Sequence, residues 1–405
     1  MSDTDLIIRI AAKGDGVTAD GRHVPLSAPG DRIAADGTLV HGPDHVDPPC
    51  RHFPDCGGCQ LLHLSDAAYA TYVRDRVEGA LTGQGITPDQ IGEIGEAHVS
   101  PPRSRRRASL RAVRVDGRID IGFASQGTNR IVDMTMCELL HPSLFALVAP
   151  LRKLLGRDKL MGKSAGIVMA LVDQGVDLLL EDVRSDGLAA AEALAAFAQT
   201  QGLARLTLVE KEEPPMTAWE PDPVTVSFGG MAVPLPAGAF LQATLEGEAA
   251  LVAEVIRGVG SASTVADLFA GLGTFALSLA GGRKVYAAEA ARDMLFALKR
   301  GGDRLPGRVF VEHRDLFRRP LVPAELNRFD AIVLDPPRAG ARDQVEQLAA
   351  GHAPRIVYVS CNPSSFARDA VTLMEGGYAL DRVVPVGQFR WSTHVELVGT
   401  FSHKG

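Results

Sequence analysis

The 405-residue chain is poor in cysteine, in aromatic residues and in positive charge, and each shortage excludes something. Cysteine occurs only five times, an odd number, which argues against a scaffold stapled by disulfides. No apolar run approaches the ~18 residues that a membrane-spanning helix needs, so no membrane partner is expected. The first residues, Met-Ser-Asp-Thr-Asp, are acidic where a secretory leader would be basic. That points to the cytoplasm. Lysine and arginine total 42 against 49 acids, a net charge of −7. A protein that grips nucleic acid by bulk charge would be basic, so any polyanionic partner must be met by a local patch.

What is present reads as ordinary globular protein: 46% hydrophobic and 22% charged residues, in two or three domains at roughly 150 residues each. Residues 1–46 alternate short apolar runs with Gly-Asp turns and predict a small all-β module. Residues 47–225 form a central α+β region. Within it the spacing predicts helices at 66–81 and 188–199, and hairpins around Asp116-Gly117 and around 173–175. Glu212-Glu213-Pro214-Pro215 and 221–223 read as linker. From 226 to 405, buried apolar runs at 265–269, 285–288, 331–334 and 356–359 alternate with helical stretches. That pattern predicts an α/β domain with a parallel sheet covered on both faces. The local basic patch is also there. Arg103, Arg105, Arg106, Arg107, Arg111, Arg114 and Arg118 face one acid, Asp116, around a strand expected at 108–115. Half of the strand's side chains should share a face and could track phosphates.

The chemistry concentrates at predicted strand ends. Asp267-Leu-Phe-Ala-Gly-Leu-Gly follows an apolar strand and opens a helix, and its glycines allow a sharp turn and close approach to a ligand. Glu289 ends the next strand, where a carboxylate can accept hydrogen bonds from ribose hydroxyls. NAD and S-adenosylmethionine both carry these; Asp267 and the downstream residues favour the second. Asp335-Pro336-Pro337-Arg338 and Ser360-Cys361-Asn362-Pro363 each follow a strand. Ligands of open α/β sheets sit at such carboxyl ends, so one site should gather a cofactor, an acid and a thiol.

These motifs, with His394-Val395-Glu396 and Phe240-Leu-Gln242, in this order resemble the RNA uracil-C5 methyltransferases over about residues 46–405. The likeness is greatest to the iron–sulfur branch that acts on 23S rRNA. The resemblance implies a Rossmann-like S-adenosylmethionine-dependent domain, with cofactor contacts from Gln242, Phe269, Gly271, Gly273, Thr274, Glu289, Asp315 and Asp335. Thr274 and Asp315 stand where the family has Asn. Residues 1–46 resemble a shortened TRAM (OB-like) β-barrel, and structured RNA, 23S rRNA in particular, becomes the expected partner of a monomer.

Uracil C5 is too weak a nucleophile to take a methyl group unaided. A thiolate adding to C6 makes C5 an enolate carbon, and a base must later remove the C5 proton. Cys361 and Glu396 are the catalytic pair in this scheme, with Asp335 and Asn362 reading the uracil edge and Arg338 a phosphate. The base would have to leave its stack. Cys50, Cys56, Cys59 and the distant Cys137 supply four thiolates, which suit zinc or an iron–sulfur cluster alike. Cys-Gly-Gly-Cys and the resemblance imply [4Fe–4S]. His52 and His63 stand nearby. Trp391, in the segment 388–393 where this chain departs from the family, either stacks on a base or packs in the core. Competing readings are a tRNA uracil-C5 methyltransferase, a non-catalytic RNA-binding protein with the same fold, and an NAD-dependent oxidoreductase.

Overall fold

The computed structural model describes residues 5–157, 160–210 and 214–404. Residues 1–4 of the acidic start and the first part of the expected 212–215 linker lie outside the described residues. Apolar runs become strands where they were expected: Thr264–Leu268, Lys284–Glu289, Ala331–Leu334 and Arg355–Ser360. With Val309–His313 they form the parallel part of a nine-stranded sheet, in the order 309–313, 284–289, 264–268, 331–334, 355–360. Glu396–His403 continues it antiparallel to Arg355–Ser360, followed by Tyr378–Gly387. All four core residues of Ala331–Leu334 are buried, as a strand covered on both faces requires.

The sheet also recruits residues from far upstream. Ile91–Ile94 and His98–Val99 pair in parallel with Tyr378–Gly387. The helix Asp66–Gly83, capped by Ser65, packs with Tyr69, Tyr72, Val73 and Val77 in the same core as Phe366, Tyr378 and Leu397. Thus 66–99, assigned on sequence to the central region, folds onto the C-terminal sheet. Ile91-Gly-Glu-Ile94 is too short and polar to announce a strand by itself; an available sheet edge makes it one.

A separate six-stranded sheet runs Met216–Trp219, Leu203–Val209, Gly175–Val183, Met161–Val172, Arg107–Val115 and Arg118–Gly122. Its hairpin turns on Asp116 and Gly117, both at positive φ, as an Asp-Gly turn demands. Ahead of it, residues 5–46 hold a three-stranded antiparallel sheet and a two-stranded ladder. No described helix is long and apolar enough to cross a membrane.

Candidate active site

Five strand ends deliver the site. The Thr264–Leu268 strand ends at Phe269, which is held at φ 64°, a left-handed conformation that is costly for a bulky residue and typical of functional turns. Gly271 and Gly273 follow at positive φ, and a Cβ on Gly273 would lie 2.3 Å from Leu298 Cδ1. Only glycine fits there. Glu289 closes the next strand; one carboxylate oxygen accepts the Gly271 N–H at 2.8 Å and the other those of Ala290 and Ala291. The acid therefore clamps the glycine turn as well as facing the cleft.

Gln242, Phe269, Gly271, Thr274, Glu289, Asp315, Asp335, Cys361 and Glu396 line one cleft of about 1300 Å3, counting its open mouth. Gly273 stands just behind, at the start of the helix Thr274–Leu279. Phe317, tilted against Phe269 at 5.4 Å, and Met294 add apolar wall that the motifs did not announce. Asp267 lies buried beneath, and neither of its oxygens meets a donor in hydrogen-bond geometry. Burial, with Asp335 and Glu289 near, holds its carboxyl well above the ordinary range.

Glu396 begins the antiparallel strand, so its amino end meets the carboxyl ends of the parallel ones. This reversal brings the acid beside Cys361. Glu396 is 4% exposed; burial and the neighbouring Asp335 push its carboxyl up to about 8. Burial alone takes Asp335 to about 7. The Cys361 thiol is also raised, first by burial and then by Glu396 and Asp335, with Arg338 opposing them. Asn362 has a structural task through its side-chain amide. The amide oxygen caps the helix Pro363–Glu375 by accepting the Ser364 N–H, and the amide nitrogen donates to the Arg338 carbonyl at 3.0 Å. It clamps the two loops that carry Asp335 and Cys361.

Cys361 and Arg338 also line a second, larger groove with Lys13, Arg76, Arg105, Gln60, Phe389 and His394. The arginine run contributes to it only in part. Arg105 enters the groove over the Phe389 ring, at 5.3 Å, and Arg107 stacks over Phe240. Arg103 pairs with Glu138, and Arg106 turns inward to pair with buried Glu248. The run is not one strip, because the chain is still irregular at 103–106 and its side chains leave in different directions before strand alternation begins at Arg107.

Cys50, Cys56, Cys59 and Cys137 are free thiols lining one pocket walled by Phe53, Leu62, Phe123, Val132 and Leu139. Among the described residues no three His, Cys, Asp or Glu side chains converge closely enough to hold a single metal ion. His63 is buried against the Ser27 carbonyl, away from that role, while His52 Nδ1 lies 3.5 Å from Cys50 Sγ. Trp391 is core: it packs with Leu62 and Leu139 against the cysteines, and its carbonyl accepts the Gln60 and Leu61 N–H groups. Arg390 lies over it, bonded to Asp66 and to the Ser100 carbonyl.

A model of the tRNA (Uracil-5-)-methyltransferase family matches residues 308–404, which hold Asp335, Cys361 and Glu396. An uncharacterised RNA methyltransferase of Zymomonas mobilis is 48% identical over 98% of this chain and 99% of its own. The 23S rRNA (uracil(1939)-C(5))-methyltransferase of Halomonas elongata is 30% identical over 98% of this chain and 89% of its own. The tRNA (uracil-54, C5)-methyltransferase of Pyrococcus abyssi, solved with S-adenosyl-L-homocysteine, shares the fold with a TM-score of 0.74, covering 99% of this chain and 100% of that one at 22% identity. Full-length identity to named RNA methyltransferases, on a fold that sets a thiol and an acid at adjoining strand ends, places this chain in the RNA uracil-C5 methyltransferase family.

Proposed function

We propose that the enzyme transfers a methyl group from S-adenosylmethionine to C5 of one uridine in 23S rRNA through a Cys361–C6 adduct. The observation that carries this is the position of Cys361 on the wall common to the acidic cleft and the basic groove. The acidic cleft suits a cation with an adenosyl part: acids at Glu289 and Asp335, and aromatic walls at Phe269 and Phe317. S-adenosylmethionine supplies an electrophilic methyl there. Cys361 adds as thiolate to uracil C6, C5 takes the methyl, and Glu396 then removes the C5 proton as the Cys361–C6 bond breaks. Asp315 and Thr274 line the cofactor side, and Gln242 lies next to the acid. The alternative, a tRNA substrate, uses the same site; the 23S reading rests on full-length similarity to the Halomonas enzyme.

The groove would carry the RNA backbone on Lys13, Arg76, Arg105 and Arg338, so the N-terminal module would touch RNA through Lys13. For the thiols we favour [4Fe–4S]. Four free cysteines ring an apolar pocket, and the Cys-Gly-Gly-Cys resemblance favours the cluster over zinc. Such a cluster would join the 50–59 loop to the segment at 137. Anaerobically purified protein should then contain iron and sulfide, and Cys59→Ala should abolish both; stoichiometric zinc without iron would refute it.

The decisive test separates the two catalytic residues. Cys361→Ala should abolish methylation and adduct alike. Glu396→Gln should still transfer the methyl and then stall as methylated RNA attached to protein, a denaturation-resistant band. Normal turnover by either variant would overturn the assignment.

A further inference from the structure

A buried glutamine outside the motifs ties this site together. Gln388 is 1% exposed and makes three side-chain hydrogen bonds. Its Oε1 accepts the Ala243 N–H at 2.8 Å. Its Nε2 donates to Gln242 Oε1 at 2.6 Å and to Glu396 Oε2. A backbone N–H can only donate, so the atom facing Ala243 must be the oxygen and the amide cannot be flipped. Everything downstream inherits that polarity. The Gln242 oxygen is turned toward Gln388, which leaves its N–H pair as the group it can turn to the cleft that it lines.

The anchors of this arrangement are themselves buried. Arg106 Nε donates to the Gln242 carbonyl at 3.1 Å, and its backbone N–H to the Ala243 carbonyl. The helix Leu245–Val259 closes over Gln388 at Gly247, where a Cβ would lie 2.5 Å from Gln388 Cβ.

We propose that Gln388 is a positioning residue that holds the Glu396 carboxylate in place and fixes the Gln242 amide as a hydrogen-bond donor, thereby selecting uracil over cytosine. The proposal rests on the reading of the site given above. Uracil presents a carbonyl oxygen at C4, which an N–H can satisfy; cytosine presents an amino group there, which meets a second donor. A site that leaves polar groups unpaired rejects the wrong base strongly.

The test compares wild type with Gln388→Leu on transcribed 23S rRNA carrying either uridine or cytidine at the mapped methylation position. Two readouts should move together. The preference for uridine should fall at least about tenfold, because Gln242 is released to rotate. The rise of turnover with pH should move up by roughly one unit, since a donor to the ionised form of Glu396 is gone. A thermal melting curve checks that the variant is folded. If it is not, Gln388→Met decides, because it keeps the length of the side chain and removes the donor; the same two shifts are expected. An active wild type whose folded variant keeps both the uridine preference and the pH midpoint overturns this proposal alone. A wild type that methylates no uridine overturns the site reading, and the proposal with it.

Discussion

At the residue scale the governing fact is that three carboxyls, Asp267, Asp335 and Glu396, sit where water would normally hold them ionised and are denied it. Their raised proton affinity has a thermodynamic consequence. Glu396 binds its proton more tightly folded than unfolded, so its contribution to stability is full below about pH 4 and is lost as pH climbs through about 8. Glu396→Gln carries no such loss. The variant should therefore melt above the wild type, by a margin that widens between about pH 5 and about pH 9 and amounts to a few kcal/mol. Thermal melting of the ligand-free proteins checks this; parallel curves would show that Glu396 titrates as an ordinary surface acid. On the proposed reading the raised affinity serves activity, because a base that must take a carbon-bound proton works best with an affinity near the operating pH.

At the element scale the parallel sheet was legible because it obeys a simple rule. Apolar runs of four to six residues, separated by helices, must be buried on both faces, and chemistry-bearing residues gather where such strands end. Gly271, Glu289, Asp335 and Cys361 all followed from that. Glu396 could be named only through its motif, because an antiparallel strand brings its opposite end to the same edge. Gln388 could not be read at all: its partners at 242, 243 and 396 are brought together by tertiary packing that no periodicity reports. The arginine run misled for the same reason, since burial of Arg106 depends on Glu248, far along the chain. The glycine turn offers the sharpest test at this scale. Gly273→Ala must both adopt φ near 92° and displace Leu298. It should cost about 1–3 kcal/mol of stability and weaken cofactor binding, with calorimetry against S-adenosylhomocysteine as the measure.

At the scale of the whole molecule an acidic protein has to hold a polyanion, and on the proposed reading the groove does so. Lys13 comes from the N-terminal module, Arg76 from the helix on the C-terminal sheet, Arg105 from the segment that leads into the Arg107–Val115 strand and Arg338 from the active-site loop. Replacing Lys13 and Arg76 with alanine should lower the salt slope of RNA binding by roughly one per lost phosphate contact. Arg106→Ala, by contrast, should leave the slope unchanged and destabilise the fold by about 3–5 kcal/mol, because it abandons Glu248 unpaired in the interior. Filter binding across a salt series, with melting curves alongside, separates the two kinds of arginine. Equal slopes in all variants would move the RNA elsewhere.

Among the described residues, the acidic cleft and the basic groove have linings that overlap only at Arg338 and Cys361. On the proposed reading, the chain has built two doors into one room. A spent cofactor leaves through its own door while the RNA stays tethered to Cys361, and neither visitor waits for the other to arrive. Turnover then has no compulsory order. A long RNA that is slow to dissociate does not hold the small molecule captive, and the pace of the enzyme is set by the slower door.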